Sequence, residues 1–169
     1  LWIGTRIGMY KLYLPDFRIE EFQSLKFISI RTLMVDNKNK LWIGTENDGV
    51  FVIKYDSVLH TYILKNFKSN NKSEYSLSEG TIYAIAFDKE GNVWIGIENG
   101  GINIIPSCQI DKEEPKIIKL YHNPLDPYSI PNNSIHALYY DNQNIMWIGT
   151  YAGGISYTHE LFRRFKHVY

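Results

Sequence analysis

The chain has 169 residues, 44% of them hydrophobic, with 18 basic and 18 acidic side chains that cancel. Interleaved, neutral charge lacks the clustered basic excess of a nucleic-acid or anionic-membrane surface, and a lone cysteine, Cys108, excludes an intramolecular disulfide framework and a cysteine-rich metal site. Apolar runs of a handful of residues fall far short of the ~20 that span a bilayer, while 15% aromatic residues suit half-buried pleated surfaces and point to an all-β chain.

The first segment, Leu1-Trp2-Ile3-Gly4-Thr5, starts without an initiator methionine or a secretory signal, so we expect a piece of a longer polypeptide. Its pattern returns at Leu41-Trp42-Ile43-Gly44-Thr45, Val93-Trp94-Ile95-Gly96-Ile97 and Met146-Trp147-Ile148-Gly149-Thr150, which accounts for all four tryptophans. Ahead of the last three stand alternating segments opening at Ile30, Ile82 and Ile135, and then turns beginning with Asp36, Asp88 and Asp141. Each turn puts a side-chain acceptor first and Asn39, Gly91 or Asn144 fourth, where a left-handed residue is needed. Behind the tryptophans come Gly49, Gly101 and Gly154, each opening a second hairpin before a fresh apolar strand. The unit therefore reads strand, Asp turn, Trp strand, Gly turn, strand, loop, strand.

Four antiparallel strands in a repeat of this length predict β-propeller blades. Complete units are expected at 29–66, 82–122 and 135–169, with an incomplete unit at 1–27 that lacks its innermost strand. The whole, 1–169, reads as one partial propeller built of four-stranded antiparallel blades. A four-fold ring short of one strand is the less favoured alternative.

The motif Ile-x5-Asp-x5-hydrophobic-Trp-Ile-Gly-Thr resembles the two-component regulator propeller repeat. The linker from Tyr121-His122-Asn123-Pro124-Leu125-Asp126-Pro127-Tyr128 on to Ile135 is similar to an inter-blade connection in the periplasmic sensor regions of Bacteroides-type hybrid two-component systems, and the ending from Phe162-Arg163-Arg164-Phe165 to Tyr169 is similar to the outer strand that precedes another such linker. The resemblance implies a non-catalytic periplasmic segment of an inner-membrane receptor that recognises oligosaccharide and relays to a histidine kinase. It implies no cofactor. Arg6-Ile7-Gly8, Ile97 in place of Thr, and a first linker without the Asn-Pro-x-Asp-Pro run depart from the pattern and suggest irregular blades.

Residues that could carry chemistry mostly have structural readings. Tryptophans at one fixed strand position behave as inter-blade packing, not sugar platforms. Asp36, Asp88 and Asp141 are spread by the repeat, whereas a glycosidase brings two carboxylates within roughly 5 to 10 Å of each other. His60, His122, His136, His159 and His167 form no metal-ligand spacing, and Cys108 has no base near it in sequence. What remains are variable residues inside the fixed pattern. These are Arg6, Glu46, Asn47, Asp48, Glu98, Asn99 and Tyr151 after the Trp strands, and Arg31, Tyr83 and His136 at the second position of the innermost strands. They are expected to share one face of the disc around its funnel, a mixture that suits a hydroxyl-rich ligand. An enzymatic alternative, a propeller-fold lyase or hydrolase, would draw on Glu46, Glu98, His136 and Tyr151; a protein-docking propeller is a third reading. Exposed blade faces also lead us to expect self-association or cover by further blades of a parent chain.

Overall fold

The computed structural model describes residues 1–69, 73–159 and 165–168. Its strands form four antiparallel sheets in chain order. The first holds β1 (Trp2–Thr5), β2 (Gly8–Leu12) and β3 (Ile19–Glu21); the second holds β4 (Ile30–Val35), β5 (Leu41–Thr45), β6 (Val50–Asp56) and β7 (Thr61–Phe67). The third holds β8 (Ile82–Phe87), β9 (Val93–Ile97), β10 (Gly101–Ile105) and β11 (Ile118–Leu120), and the fourth β12 (Ile135–Tyr140), β13 (Ile145–Thr150), β14 (Ile155–His159) and β15 (Lys166–Val168). Each sheet is a meander, and the first lacks the strand that lies innermost in the others. This is a partial β-propeller. The expected outer-strand residues Phe162, Arg163 and Arg164 lie outside the described residues.

The Asp turns bind more than their own backbone. One carboxylate oxygen of Asp36 accepts the amides of Lys38 and Lys40, both at 2.9 Å, while the other accepts the indole N–H of Trp42 at 3.0 Å. Asp88 takes the Asn92 amide and the Trp94 indole, both at 2.9 Å. Asp141 takes the amides of Gln143 and Ile145 and the Trp147 indole at 2.7 Å. The six-residue Asp–Trp spacing thus fixes the turn and the tryptophan rotamer with one side chain. The fourth turn residues Asn39, Gly91 and Asn144 have φ of 57°, 76° and 62°, the left-handed conformation their identities suggested.

The indole of Trp147, followed by the amides of Ile145 and Gln143, holds the Asp141 carboxyl below the usual carboxylate range. A depressed folded pKa contributes stability that is fully present above the unfolded value and lost as pH falls through the folded one. The fourth sheet is therefore expected to loosen only below about pH 4, with the Trp147 indole N–H resonance shifting in step. Asp141→Asn should abolish that acid-limb response; an indole shift still titrating in the variant would refute the assignment.

At the second hairpin, Thr45 Oγ1 donates to the Gly49 carbonyl at 2.8 Å and accepts the Asp48 amide at 2.9 Å. Gly49 has φ of 73°, and a Cβ there would stand 2.2 Å from the Phe67 carbonyl oxygen, so the turn excludes side chains. The hydroxyl of Thr5 bonds the Gly8 carbonyl and that of Thr150 the Gly154 carbonyl in the same way. In the third sheet, where Ile97 replaces Thr, Asn99 exchanges two hydrogen bonds with Ser134 of the next blade instead.

Three apolar clusters fill the three seams. Met9, Leu25, Ile30, Ile43, Phe51 and Ile53 bury the first, with Trp2 packed on them. Trp42, Val52, Phe67, Ile82, Ile85 and Ile95 lie in the second. Ile102, Ile135, Met146, Ile148 and Phe165 occupy the third, with Trp94 against them. Within each seam an isoleucine sits over a glycine. A Cβ on Gly4 would lie 2.4 Å from Ile30 Cγ2, one on Gly44 2.6 Å from Ile82 Cγ2, and one on Gly96 2.7 Å from Ile135 Cγ2. The glycine of Trp-Ile-Gly is therefore the socket for the first residue of the following blade's innermost strand.

The fourth sheet's outer face has no such neighbour among the described residues. Gly149 would meet only Ala137 of its own sheet, at 3.2 Å, and Tyr139, Ile155 and Val168 are at least half exposed. Trp147 packs on Tyr157 of the same sheet and is half-buried, whereas Trp42 is fully buried between Phe67 and Phe87. The inter-blade reading of the tryptophans therefore holds for Trp2, Trp42 and Trp94, whereas among the described residues Trp147 packs within its own sheet.

Candidate functional site

All three innermost strands carry the same irregularity at the same place. Pairing of β4 with β5 shifts register between Ile30 and Thr32, that of β8 with β9 between Ile82 and Ala84, and that of β12 with β13 between Ile135 and Ala137. The extra residue is Arg31, Tyr83 or His136. A β-bulge leaves one residue out of the ladder and re-aims its side chain, a device common beside binding sites. The variable second position picked out in the sequence is thus a bulge in every complete innermost strand.

The loops after the Trp strands are tied to these bulges by a repeated backbone bond. The amide of Glu46 donates to the Ser29 carbonyl at 3.0 Å, that of Glu98 to Thr81 at 2.9 Å, and that of Tyr151 to Ser134 at 2.9 Å. Each bond seats the loop residue over the residue preceding the isoleucine. The structure brings two groups together in this way. In the second blade, Arg31 pairs with Glu46 at 3.1 Å, and Ser29 Oγ donates to the same Glu46 oxygen at 2.7 Å. The Ser29 hydroxyl, then Arg31, with a smaller contribution from Arg6, hold the Glu46 carboxyl below its usual range. Glu46 is accordingly a charged acceptor and a poor proton donor. The Arg31 Nε is buried without a hydrogen-bond partner among the described residues.

Across the third and fourth blades, the rings of Tyr83 and His136 lie 4.5 Å apart and those of His136 and Tyr151 5.5 Å apart, tilted by 39° and 37°. His136 and Tyr151 are exposed and Tyr83 is half-buried, so the three rings make a continuous aromatic strip across one seam. Asn99 is anchored beside it through Ser134.

The remaining expected residues are placed differently. Asp48 lies in the Gly hairpin, where its amide completes the Thr45 turn, and its exposed side chain joins neither group. Asn47 is exposed in the same loop, and Arg6 reaches the cluster only through its field on Glu46. Glu98 shares the loop position, where its amide bonds the Thr81 carbonyl. Ser29 and Ser134 were missed, although a hydroxyl residue precedes the isoleucine in every complete unit, as Ser29, Thr81 and Ser134. A cleft of about 220 Å³ opens at the other end of the strands, among Asp36, Lys40, Asp88 and Asp111, and shares no residue with the rim. The described residues contain no cluster of His, Cys, Asp and Glu fit to hold a metal ion, and no helix of theirs is long and apolar enough to cross a membrane.

Comparison with known proteins matches residues 24–47, 76–99 and 129–152 to the two-component regulator propeller. A histidine kinase of Formosa agariphila is 26% identical over 160 residues, covering 90% of this chain and 11% of that protein. Among solved structures, the extracellular domain of a putative hybrid two-component system from B. thetaiotaomicron superposes with a TM-score of 0.69 at 20% identity, covering 92% of this chain and 19% of that one. PorZ, described as a surface component of the type-IX secretion system of Porphyromonas gingivalis, superposes with a TM-score of 0.68 at 14% identity, over 94% of this chain and 24% of its own. The chain therefore spans a small part of each of these relatives, and at such identities the structures speak for the fold. The three matched segments each run from an innermost strand's approach through its Trp strand.

Proposed function

We propose that this chain, which carries three two-component regulator propeller repeats, is part of the extracytoplasmic sensor region of a two-component signalling receptor. Its ligand is an oligosaccharide held at the bulge rim, and the parent polypeptide relays the event to a histidine kinase. The observation that carries this reading is the bulge shared by Arg31, Tyr83 and His136 in successive blades. Rigid strands present divergent side chains at one rim, and these side chains are of the types that bind sugars. Aromatic faces stack on pyranose rings, while the Arg31–Glu46 pair and Asn99 offer planar donors and acceptors to hydroxyls. Signalling through such a site requires different affinity for two arrangements of the receptor, a population shift. The repeat match and the histidine kinase relative support the signalling side of the proposal.

The test is thermal stabilisation by a panel of neutral, uronic-acid and sulfated oligosaccharides. A ligand present at 100 times its Kd should stabilise the folded chain by about 2.7 kcal/mol. His136→Ala and Tyr83→Ala should remove that shift while leaving the unliganded melting temperature within a few degrees. If no member of the panel moves the melting temperature at millimolar concentration, the rim is not a glycan site. Release of reducing ends from the same panel would point to the enzymatic alternative instead.

A further inference from the structure

The connection between the two outer strands is short in the second sheet, 57–60, but runs over 106–117 in the third. This longer loop leans back across the seam onto the second sheet. Lys65 Nζ on β7 donates to the Ile110 carbonyl at 2.7 Å and to that of Lys112, and Lys40 pairs with Asp111 at 2.9 Å. Between the loop and the β6–β7 hairpin lies a cavity of about 130 Å³. Lys40 and Asp111 line both this cavity and the larger cleft among the Asp turns, so their ion pair stands where the two spaces adjoin.

Strand register explains the lining. Val52 lies opposite Lys65 and Lys54 opposite Ile63; cross-strand partners share a face, so apolar and cationic side chains alternate over it. Phe67 and Ile110 complete the apolar part, and the Lys65 ammonium lies 4.8 Å from the Phe67 ring centroid. Lys40, Lys54 and Lys65 thus meet a single lining carboxylate, Asp111. That carboxylate is turned outward, with its side chain 83% exposed, and is taken by Lys40. Lys65 has no carboxylate partner among the described residues, and only carbonyl dipoles meet its charge. Burial pulls the Lys65 ammonium below the usual lysine range; the fields of Asp111 and Glu113 oppose that pull and Lys40 adds to it. A partly desolvated cation of this kind gains from an incoming anion.

We propose that this cavity binds a small organic anion, a carboxylate carried on a single ring or a short branched chain. Its apolar body lies on Val52, Ile63, Phe67 and Ile110, and its carboxylate lies between Lys65 and Lys40. Size sets the limit, since an apolar cavity of about 150 Å³ holds one benzene molecule. Charge sets the class: a neutral ring leaves Lys65 uncompensated, and a hydrated inorganic anion gains nothing from the apolar wall. An ion pair as exposed as Lys40–Asp111 contributes little, so the ligand takes Lys40 from Asp111 at small cost. The cavity shares no residue with the bulge rim, and the proposal stands apart from the glycan reading.

Benzoate is the probe and benzamide its uncharged match. Titrated into the chain at neutral pH, benzoate should shift the methyl resonances of Val52, Ile63 and Ile110 saturably, with a Kd in the millimolar range or below. The indole resonance of Trp42, which stacks on Phe67, should move with them, and those of Tyr83 and His136 should not. Benzamide should bind about tenfold more weakly, and Lys65→Met, which keeps the stem without the charge, should weaken benzoate by about the same factor. Lys54→Gln, at an exposed position, should weaken it about threefold with the melting temperature unchanged. Asp111→Asn releases Lys40 and should tighten benzoate about threefold, the opposite of what a merely loosened loop would do. The proposal is overturned by absent shifts at tens of millimolar benzoate, by benzamide binding as tightly as benzoate, or by an Asp111→Asn variant that binds no more tightly than the parent chain.

Discussion

Replacing Trp42 with alanine is expected to cost the chain about 3–5 kcal/mol, the range for emptying a large buried aromatic site. The side chain is fully buried, stacked on Phe67 at 5.7 Å within its own sheet and edge-on to Phe87 of the next at 5.8 Å. Its loss opens a cavity in the seam between the second and third blades and strands the Asp36 carboxylate without its indole partner. For a chain of this length the midpoint should fall by roughly 6–20 °C. Trp147→Ala is the matched control. That ring has an equivalent aspartate partner, Asp141, but only Tyr157 beside it and an open face among the described residues, so its replacement should cost less than half as much. Urea unfolding of both variants checks the difference; equal losses would mean that the fourth blade's face is covered in solution.

Gly44→Val is expected to be damaging for the opposite reason, overpacking. Even the first added carbon would lie 2.5 Å from Thr32 Cγ2 and 2.6 Å from Ile82 Cγ2. Both neighbours are β-branched and hold one rotamer firmly, so the relief must come from the backbone. Swaps that force extra carbon into a closed site cost about 1–3 kcal/mol, and valine adds two methyls beyond this first contact. At the equivalent Gly149 the nearest atom is Ala137 Cβ at 3.2 Å, and no following blade stands over it. Gly149→Val should therefore be tolerated within about 1 kcal/mol by a monomeric chain. The pair also reports on association. If sedimentation shows that the chain dimerises through the fourth blade, Gly149→Val should dissociate it, and that variant's stability should become independent of concentration.

The proposed sensor reading makes demands on the same geometry. A rim assembled from bulges on successive blades can transmit ligand binding only if the seams beneath it are rigid or change as units. The isoleucine-in-glycine sockets supply that rigidity, because each locks the first residue of a bulged strand into the preceding blade. Arg31, Tyr83 and His136 each follow directly on such a locked isoleucine. In the proposed reading, a ligand at the rim would be coupled through one peptide bond to the packing between blades.

The repeat was legible because its residues have local reasons to recur. The aspartate and the left-handed fourth residue make a turn whatever surrounds them, and Gly49 opens a hairpin that no side chain could enter. Strand order, the missing innermost strand of the first unit and the all-β class follow from that local chemistry and the two-residue period of the strands. The second strand position stood out by its variation inside a fixed pattern, and it is the position that bulges. Only the folded chain could show what joins units far apart in sequence. Register fixes the bulges, and the approach of one sheet to the next fixes which glycine receives which isoleucine, that Asp reaches an indole as well as its turn, and that His136 lies between Tyr83 and Tyr151 while Asp48 remains in its hairpin. These are contacts between backbones brought within a few ångströms by packing, and no single segment encodes that distance.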